Sequence, residues 1–288
     1  MPGLLGKLSA ASSWLDKPAE TIKTAVTPIL GEKAPRALKD ILYGNWLGHP
    51  LHPLLTDVTL GAFTTSMAMD VIGEERASDL SLKLGVISSG ATALTGAAQW
   101  YDATYHDEPR RLGALHATLN TTALGFYIWS WVLRDQDKRA AGIATAWVGH
   151  SIATASGYIG GHLSYVLGMG VDRNIAVNPV EKWKDTGVQE SELVPGELRR
   201  VDVKGTPVML LKDGPYIRAA SPVCPHLSGP LDKGKLDGTC VECPWHGSVF
   251  DLTNGRAVHG PATTALTLFD TQVLNGTIQV RTREEDKG

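Results

Sequence analysis

Residues 241–255 read VECPWHGSVFDLTNG and contain the most informative motif of the chain. The stretch contains Cys243 and His246, and it continues into apolar and β-branched residues that end at an Asn-Gly turn signal. A second stretch upstream, VCPHLSGPL at 223–231, contains Cys224 and His226. The chain therefore has two short segments that each carry one thiol and one imidazole.

The surroundings of these two segments are typical of an all-β domain. From about residue 190, strand-length runs of β-branched and apolar residues alternate with Asp-Gly and Asn-Gly turn signals. Two thiolates and two imidazoles suit zinc as well as iron–sulfur chemistry. Zinc fingers usually pair cysteine with cysteine and histidine with histidine, whereas each segment here carries one of each. This arrangement suits a two-iron cluster.

Residues 190–283 resemble a Rieske [2Fe–2S] domain, because both segments match the two cluster loops of that family. The resemblance implies that Cys224 and Cys243 bind one iron, and that His226 and His246 bind the other through ring nitrogens. It also implies hydrogen bonds from backbone N–H groups and a hydroxyl to the cluster sulfurs. The residues expected to allow or make these contacts are Gly229, Pro230, Gly247 and Ser248.

Two departures from the family pattern bear on the potential of the cluster. Rieske proteins of respiratory and photosynthetic cytochrome complexes carry a disulfide between the loops, where this chain has Ser228 and Trp245. They also offer a tyrosine hydroxyl where this chain has Phe250. Fewer donors imply a lower potential, so the resemblance is to the ferredoxin-like branch, which passes electrons to a partner. Cys240 is expected to pack as a small apolar strand residue.

Composition limits the remaining classes of function. The chain has 288 residues and a formal net charge of −3, which argues against binding to the phosphates of nucleic acid. Its 3 cysteines all lie between residues 224 and 243. Such a local, odd-numbered set indicates a site and not a disulfide framework.

The first half of the chain has a different pattern. Residues 84–101, 112–133 and 140–171 contain no Asp, Glu, Lys or Arg, and 51–71 is a weaker apolar run. These lengths match the thickness of a bilayer, and the abundance of small residues suits closely packed membrane helices. We therefore predict a four-helix membrane domain over 48–172, with a soluble four-helix bundle as the alternative.

The HPLHP motif at 49–53 and the order of these segments resemble an uncharacterised family of bacterial four-helix membrane proteins, over about residues 45–172. An even number of crossings places both termini on one side of the membrane. Excess Lys and Arg on that side and the lack of a signal segment at the start give the expected location. We predict a multi-pass inner-membrane protein with the Rieske domain and both termini in the cytoplasm.

Histidines in the first half are candidate ligands for a second cofactor. The candidates are His49, His52, His116, His150 and His162. In one interpretation, histidines from facing helices hold a haem or a metal that exchanges electrons with the cluster. In the other, they make interfacial contacts or hydrogen bonds within the bundle.

The predicted architecture is multidomain. An amphipathic segment, 1–47, precedes an all-α four-helix transmembrane bundle, 48–172, and a linker, 173–189, leads to an all-β Rieske iron–sulfur domain, 190–288. The predicted function is membrane-anchored electron transfer to or from a redox partner protein, namely a reductase, an oxygenase or a respiratory component. The alternatives are a redox-sensing or regulatory membrane protein, and a membrane oxidoreductase with a haem or quinone site. We expect an electron carrier or an oxidoreductase subunit more than a complete enzyme.

Overall fold

The computed structural model describes residues 3–284 and divides into two compact units. The helical unit comprises residues 3–42 and 50–169, and the β unit comprises residues 43–49 and 170–284. The chain thus enters the β unit briefly before the long helices and returns to it after them.

Helices dominate the chain up to residue 165. The short helices are α1 (Leu4–Ala11), α2 (Asp16–Leu30) and α3 (Arg36–Tyr43), and the long ones are α4 (Leu51–Ile72), α5 (Glu75–Tyr101), α6 (Asp107–Asp135) and α7 (Arg139–Tyr165). Short connections make consecutive long helices antiparallel. Both α4 and α6 pack against α5 and α7, so α4 and α6 lie diagonally across a four-helix bundle. The predicted four-helix part is confirmed.

The prediction that these helices cross a membrane is not supported by their hydropathy. Within residues 3–284, no helix combines the length and the apolar content that a crossing requires. The physical reason lies in the charge-free stretches themselves. They are filled largely by Ala, Gly, Ser and Thr, which add far less apolar surface than Leu, Ile or Phe.

The centre of the bundle holds an aromatic stack and a buried ion pair. Phe63 of α4 and Tyr127 of α6 stack with ring centroids 3.6 Å apart and an interplanar angle of 4°. Nearer the α4–α5 turn, Arg134 Nη2 lies 2.6 Å from Asp70 Oδ2, and their side chains are 2% and 1% exposed. Arg139 also contacts Asp70, at 2.9 Å. Buried charges of this kind require such pairing, because desolvation of a lone ion costs several kcal/mol.

The N-terminal helices α1 and α2 pack against α6. Arg111 of α6 fixes this contact, because its Nε and Nη2 donate to the two carboxylate oxygens of Asp16 at 2.7 and 2.9 Å. The segment that the sequence assigns to an amphipathic N-terminal part therefore buries one face on the bundle.

The β unit consists of two antiparallel sheets. Its strands are β1 (Lys184–Gln189), β2 (Leu198–Val203), β3 (Thr206–Asp213), β4 (Tyr216–Ala220), β5 (Lys235–Asp237), β6 (Cys240–Glu242), β7 (Val249–Asp251), β8 (Ala257–His259), β9 (Leu268–Leu274) and β10 (Thr277–Thr282). The larger sheet has the order β1-β10-β9-β4-β3-β2, and the smaller one has the order β5-β6-β7-β8.

Strand β1 lies in the segment that the sequence assigns to a linker, 173–189. Its residues alternate between exposed and buried toward the end of the strand, and it pairs with β10 at the edge of the larger sheet. Turn-forming and charged residues in this stretch hide the strand from pattern reading. The all-β character of the C-terminal part is confirmed.

Candidate metal centre

Loop 1, residues 222–231, carries the first thiol and the first imidazole between β4 and β5. Within it, the N–H of Cys224 donates to the carbonyl of Gly229 at 2.9 Å, and the N–H of Ser228 donates back to the carbonyl of Cys224 at 2.9 Å. Ser228 has a φ of 66°, the left-handed conformation that closes this tight turn. These bonds fix the backbone on both sides of His226.

Loop 2, residues 243–248, repeats this frame between β6 and β7. The N–H of Cys243 donates to the carbonyl of Ser248 at 2.7 Å, and the N–H of Gly247 donates back to the carbonyl of Cys243 at 3.0 Å. Gly247 has a φ of 74°, where a residue without a Cβ is unstrained. The CPWHG motif is thus a closed turn that presents Cys243 and His246 on one side.

The two loops bring the four predicted side chains together. Cys224 and Cys243 are 1% and 3% exposed and belong to one apolar core, and their thiols are hydrogen-bonded to each other. The rings of His226 and His246 are 5.1 Å apart between centroids, at 86° to each other. The thiols therefore face the core, and the half-buried imidazoles lie between them and the surface.

His226 has one nitrogen without a partner. Its Nδ1 is buried and lacks a hydrogen bond within the described residues. Burial lowers the pKa of this histidine to about 3, with the nearby His246 and Arg173 acting in the same direction, so the ring is neutral at physiological pH. A buried, neutral nitrogen with a free lone pair is a metal ligand in its binding form.

The thiols are similarly prepared. The hydrogen bond from Cys224 lowers the pKa of Cys243 to about 7, against the effect of burial, and the backbone N–H groups of Trp245 and His246 also lower it. The thiol of Cys224 correspondingly has a raised pKa, because it donates to Cys243 and is buried. One of the two sulfurs is therefore stabilised as a thiolate, the form that binds iron.

A hydroxyl and a glycine complete the surroundings of the sulfurs. The N–H of Ala262 donates to Ser248 Oγ at 3.0 Å, which leaves the hydroxyl proton of Ser248 directed at the Cys224 sulfur. At Gly229, a Cβ would lie 2.6 Å from Cys243 Sγ. The space beside this sulfur is therefore kept free of side chains. The residues present fit a [2Fe–2S] cluster.

Sequence reasoning did not identify Asn45 as part of this region. Asn45 Nδ2 donates to the carbonyl of Ala262 at 2.8 Å, so segment 43–49 braces the backbone that orients Ser248. Cys240 lies on β6, half-buried and opposite Asp251, outside the group of four side chains. No signal in the sequence connects Asn45 with the cluster loops, because their contact is made only by the fold.

The histidines of the helical unit separate into distinct environments. Nδ1 of His52 lies 3.0 Å from the Thr92 carbonyl, and Nδ1 of His116 lies 2.9 Å from the Ser156 carbonyl. His150 Nδ1 contacts the Tyr127 hydroxyl at 3.1 Å.

Two candidates remain. His162 Nε2 lies 3.4 Å from Glu108 Oε1, and His49 belongs to the β unit. Burial lowers the pKa of His52 to about 4, with the nearby His116 acting in the same direction, so these two rings are within electrostatic reach of each other. The five candidates thus do not form one site.

An all-β domain whose two loops each present a cysteine and a histidine belongs to the class of iron–sulfur electron-transfer domains. Residues 185–270 match the family described as "Rieske [2Fe-2S] domain", and residues 48–173 match the family described as "Predicted membrane protein (DUF2231)". The chain belongs to the Rieske [2Fe–2S] family, with a DUF2231 domain preceding the Rieske domain.

Several of the matched relatives are ferredoxins. Ferredoxin CarAc of Metapseudomonas resinovorans is 34% identical over 91 residues, which cover 31% of this chain and 85% of the relative. The ferredoxin component of the naphthalene 1,2-dioxygenase system of Pseudomonas putida is 30% identical over a region that covers 33% of this chain and 89% of the relative.

A solved structure, the ferredoxin of carbazole 1,9a-dioxygenase from Nocardioides aromaticivorans IC177, is 28% identical. The superposed region covers 36% of this chain and 100% of the ferredoxin chain, with a TM-score of 0.34. The family match and the two ferredoxin relatives are consistent with the [2Fe–2S] cluster and an electron-transfer role for the β unit. They give no support to a haem.

Proposed function

We propose that this protein is a ferredoxin-type electron carrier in which Cys224 and Cys243 bind one iron of a [2Fe–2S] cluster, and His226 and His246 bind the other. The observation that carries the proposal is the buried Nδ1 of His226, without a hydrogen-bond partner in the described residues, beside two buried thiols. A buried polar atom left unsatisfied costs about 1–3 kcal/mol, and coordination of iron would remove that cost.

A bound Rieske cluster supplies reversible one-electron transfer. The protein encloses one end of the cluster site and leaves the other end open to a partner. The cysteines are in the apolar core, where water cannot reach the sulfurs, whereas both imidazoles are half-buried. Trp245, 52% exposed, has its ring 6.3 Å from that of His246. The open end formed by His246 and Trp245 is therefore the proposed contact point for a redox partner.

We place the potential in the lower part of the Rieske range of roughly −150 to +300 mV. Ser248 is the one side-chain hydroxyl directed at a ligand sulfur in the described residues. Phe250, fully buried, offers no hydroxyl. Hydrogen bonds to the sulfurs stabilise the reduced cluster, which carries more negative charge. With fewer of them the reduced state is less stable, and the potential falls.

The proposed partners are a reductase that delivers electrons and an oxygenase or respiratory component that takes them up. Support comes from the relative named as the ferredoxin component of a dioxygenase system, which this chain covers over 89% of its length.

We further propose that the helical unit associates with a membrane. Two observations support this: the DUF2231 match is described as a predicted membrane protein, and large apolar side chains are exposed on the long helices. Examples are Ile87 at 71%, Trp129 at 58% and Tyr158 at 68%. Fractionation of lysed cells, followed by extraction with carbonate and then detergent, tests this. Full recovery in the soluble fraction without detergent would contradict it.

The carrier function is tested with the full-length protein and an NADH-dependent ferredoxin reductase. We expect equimolar iron and acid-labile sulfide, and bleaching of the cluster absorbance when the reductase and NADH are added. A subsequent electron acceptor should restore the absorbance over repeated cycles. A cluster that becomes reduced but passes no electrons to any acceptor would instead favour the sensor alternative.

A further inference from the structure

The four long helices form two equivalent helical hairpins, α4–α5 and α6–α7. Residues 51–63 of α4 read LHPLLTDVTLGAF, and residues 115–127 of α6 read LHATLNTTALGFY. The two align with His52 on His116 and Phe63 on Tyr127, the same offset of 64 residues that separates Asp70 from Arg134. The second helices of the two hairpins, α5 and α7, are equivalent in the same way, because His52 and His116 each contact a carbonyl 40 residues further along the chain.

Equivalent residues of the two hairpins meet at the bundle centre. Phe63 stacks on Tyr127, and Asp70 pairs with Arg134, although α4 and α6 are diagonal helices. An α-helix repeats every 3.6 residues, so His52 lies about three turns before Phe63 on the same face of α4. By the same repeat, His116 lies on the central face of α6 at the same level. The repeat therefore places the two imidazoles at the same level on the central faces of α4 and α6.

Each ring is held in one tautomer by the neighbouring helix. A carbonyl oxygen only accepts hydrogen bonds, so Nδ1 of His52 must donate to Thr92, and Nδ1 of His116 must donate to Ser156. The hydroxyl of Ser156 does not change this assignment, because it donates to the carbonyl of His116. Nε2 of each neutral ring then carries a lone pair. This excludes donation to a quinone oxygen and leaves each ring able to bind a metal.

Glycines admit both rings at the surface of the neighbouring helix. A Cβ at Gly96 would lie 2.7 Å from Cε1 of His52, and one at Gly160 would lie 3.0 Å from Cε1 of His116. The equivalence of the two hairpins thus extends to the imidazole anchor and to the glycine beside it. Metal-bound histidines characteristically donate their other N–H to a backbone carbonyl or a carboxylate, which fixes the ring.

We propose that Nε2 of His52 and Nε2 of His116 form a two-nitrogen site for a transition-metal centre that accepts neutral imidazoles. Imidazole suits zinc, copper, iron and nickel, either as a free divalent ion or as the iron of a porphyrin, which brings its own in-plane ligands. In the structure the amide Nδ2 of Asn120 lies 3.0 Å from Nε2 of His116. Metal binding replaces this contact, whereas the equivalent Thr56 hydroxyl is engaged with the carbonyl of His52.

The test uses full-length protein with its cluster loaded, and cobalt(II) chloride and haemin as separate probes. Bound cobalt is measured by calorimetry and elemental analysis, and haemin by its absorption spectrum. We expect one probe to bind with one equivalent, and His52→Ala and His116→Ala each to weaken it by at least about tenfold. Binding of cobalt alone identifies a free-ion site, and a low-spin bis-imidazole spectrum identifies a porphyrin site.

His150→Ala is the matched control, because His150 belongs to the same unit but contacts Tyr127; it should leave binding unchanged. Asn120→Ala keeps both imidazoles and removes the competing amide, so it should strengthen binding. This variant decides the question if an alanine variant at 52 or 116 does not fold, as judged by circular dichroism. Absence of binding by both probes, full binding in the His52 or His116 variants, or unchanged or weaker binding in Asn120→Ala would overturn the proposal.

Discussion

The β unit and the helical unit each contain a pair of histidines contributed by two similar elements, the two cluster loops in one and the two helical hairpins in the other. The two units differ in which ring nitrogen they leave available for a ligand. In the β unit, two loops with the same backbone hydrogen bonds leave Nδ1 of His226 buried and unpartnered. In the helical unit, Nδ1 of His52 and of His116 is occupied by a carbonyl of the next helix. A loop fixes its ligand through its own backbone, so the ring nitrogen nearest the backbone stays available. In a helix the backbone N–H groups are already used, but a carbonyl can accept a second hydrogen bond. Each ring is therefore fixed by a carbonyl of the neighbouring helix, and its far nitrogen is left available.

The largest effect is expected from loss of a cluster ligand in the β unit. Cys243→Ser removes a buried sulfur whose thiolate form is stabilised by Cys224 and by the backbone N–H groups of Trp245 and His246. We expect complete loss of the rhombic electron paramagnetic resonance signal of the reduced cluster, because a serine hydroxyl does not ionise at neutral pH.

Cys240→Ser is the matched control for this substitution. Cys240 lies on β6 beyond the two loops, so the resonance signal should keep its shape and its intensity per chain. Retention of the signal in Cys243→Ser together with its loss in Cys240→Ser would require a different set of cluster ligands in the β unit.

A smaller but still large effect is expected from loss of the buried ion pair at the centre of the bundle. Asp70→Asn leaves the guanidinium of Arg134, whose side chain is 2% exposed, without its closest carboxylate. Removing one partner of a buried pair typically costs about 3–5 kcal/mol. We expect a loss of that size in the free energy of unfolding, measured by urea denaturation with helical circular dichroism.

Glu75→Gln offers a surface counterpart to this change. Glu75 contacts the same Arg139 that binds Asp70, at 3.4 Å, but its side chain is 68% exposed. An exposed pair contributes roughly 0–1 kcal/mol, so this variant should unfold almost like the parent protein. Equal losses in the two variants would show that the hairpins are not joined by the buried pair.

The third effect concerns the potential of the cluster. Ser248→Ala removes the hydroxyl directed at the Cys224 sulfur. A hydrogen bond to a charged group contributes about 1.5–3 kcal/mol, and for one electron a tenfold change corresponds to about 59 mV. Since the bond shifts the potential only by the difference between its strengths in the two oxidation states, we expect the potential to fall by up to roughly 65–130 mV in protein-film voltammetry, with Cys240→Ser unchanged. A parent potential above about +200 mV, at the upper end of the Rieske range, would contradict the hydrogen-bond argument.

The sequence was most informative where the chemistry is local. Both cluster loops could be identified from a cysteine, a histidine and a turn glycine, because the backbone hydrogen bonds that close each turn are made within it. Strand β1 and the contact of Asn45 with Ala262 could not be predicted, since both depend on partners far along the chain. The membrane prediction rested on the absence of charge, and small residues lack charge without supplying the hydropathy of a crossing.

The pairing of His52 with His116 had a signal in the sequence that a composition-based reading passes over. The two LH motifs are followed at matching positions by Leu, by Leu-Gly and by an aromatic residue. An internal repeat of this kind predicts which residues are equivalent. It does not predict that equivalent residues face each other, because that depends on α4 and α6 being diagonal rather than adjacent.

The smallest effect is expected from making the two hairpins more alike. Tyr127→Phe places phenylalanine at both equivalent positions of the central stack and removes only the hydroxyl that contacts His150 Nδ1 at 3.1 Å. A single neutral hydrogen bond contributes about 0.5–1.5 kcal/mol, so the free energy of unfolding should fall by no more than that. The double variant with His150→Ala isolates the bond, because its loss should be less than the sum of the two single losses. If Tyr127→Phe costs more than about 2 kcal/mol, the hydroxyl has a further role at the axis, and the two hairpins are less equivalent than their stacked rings indicate.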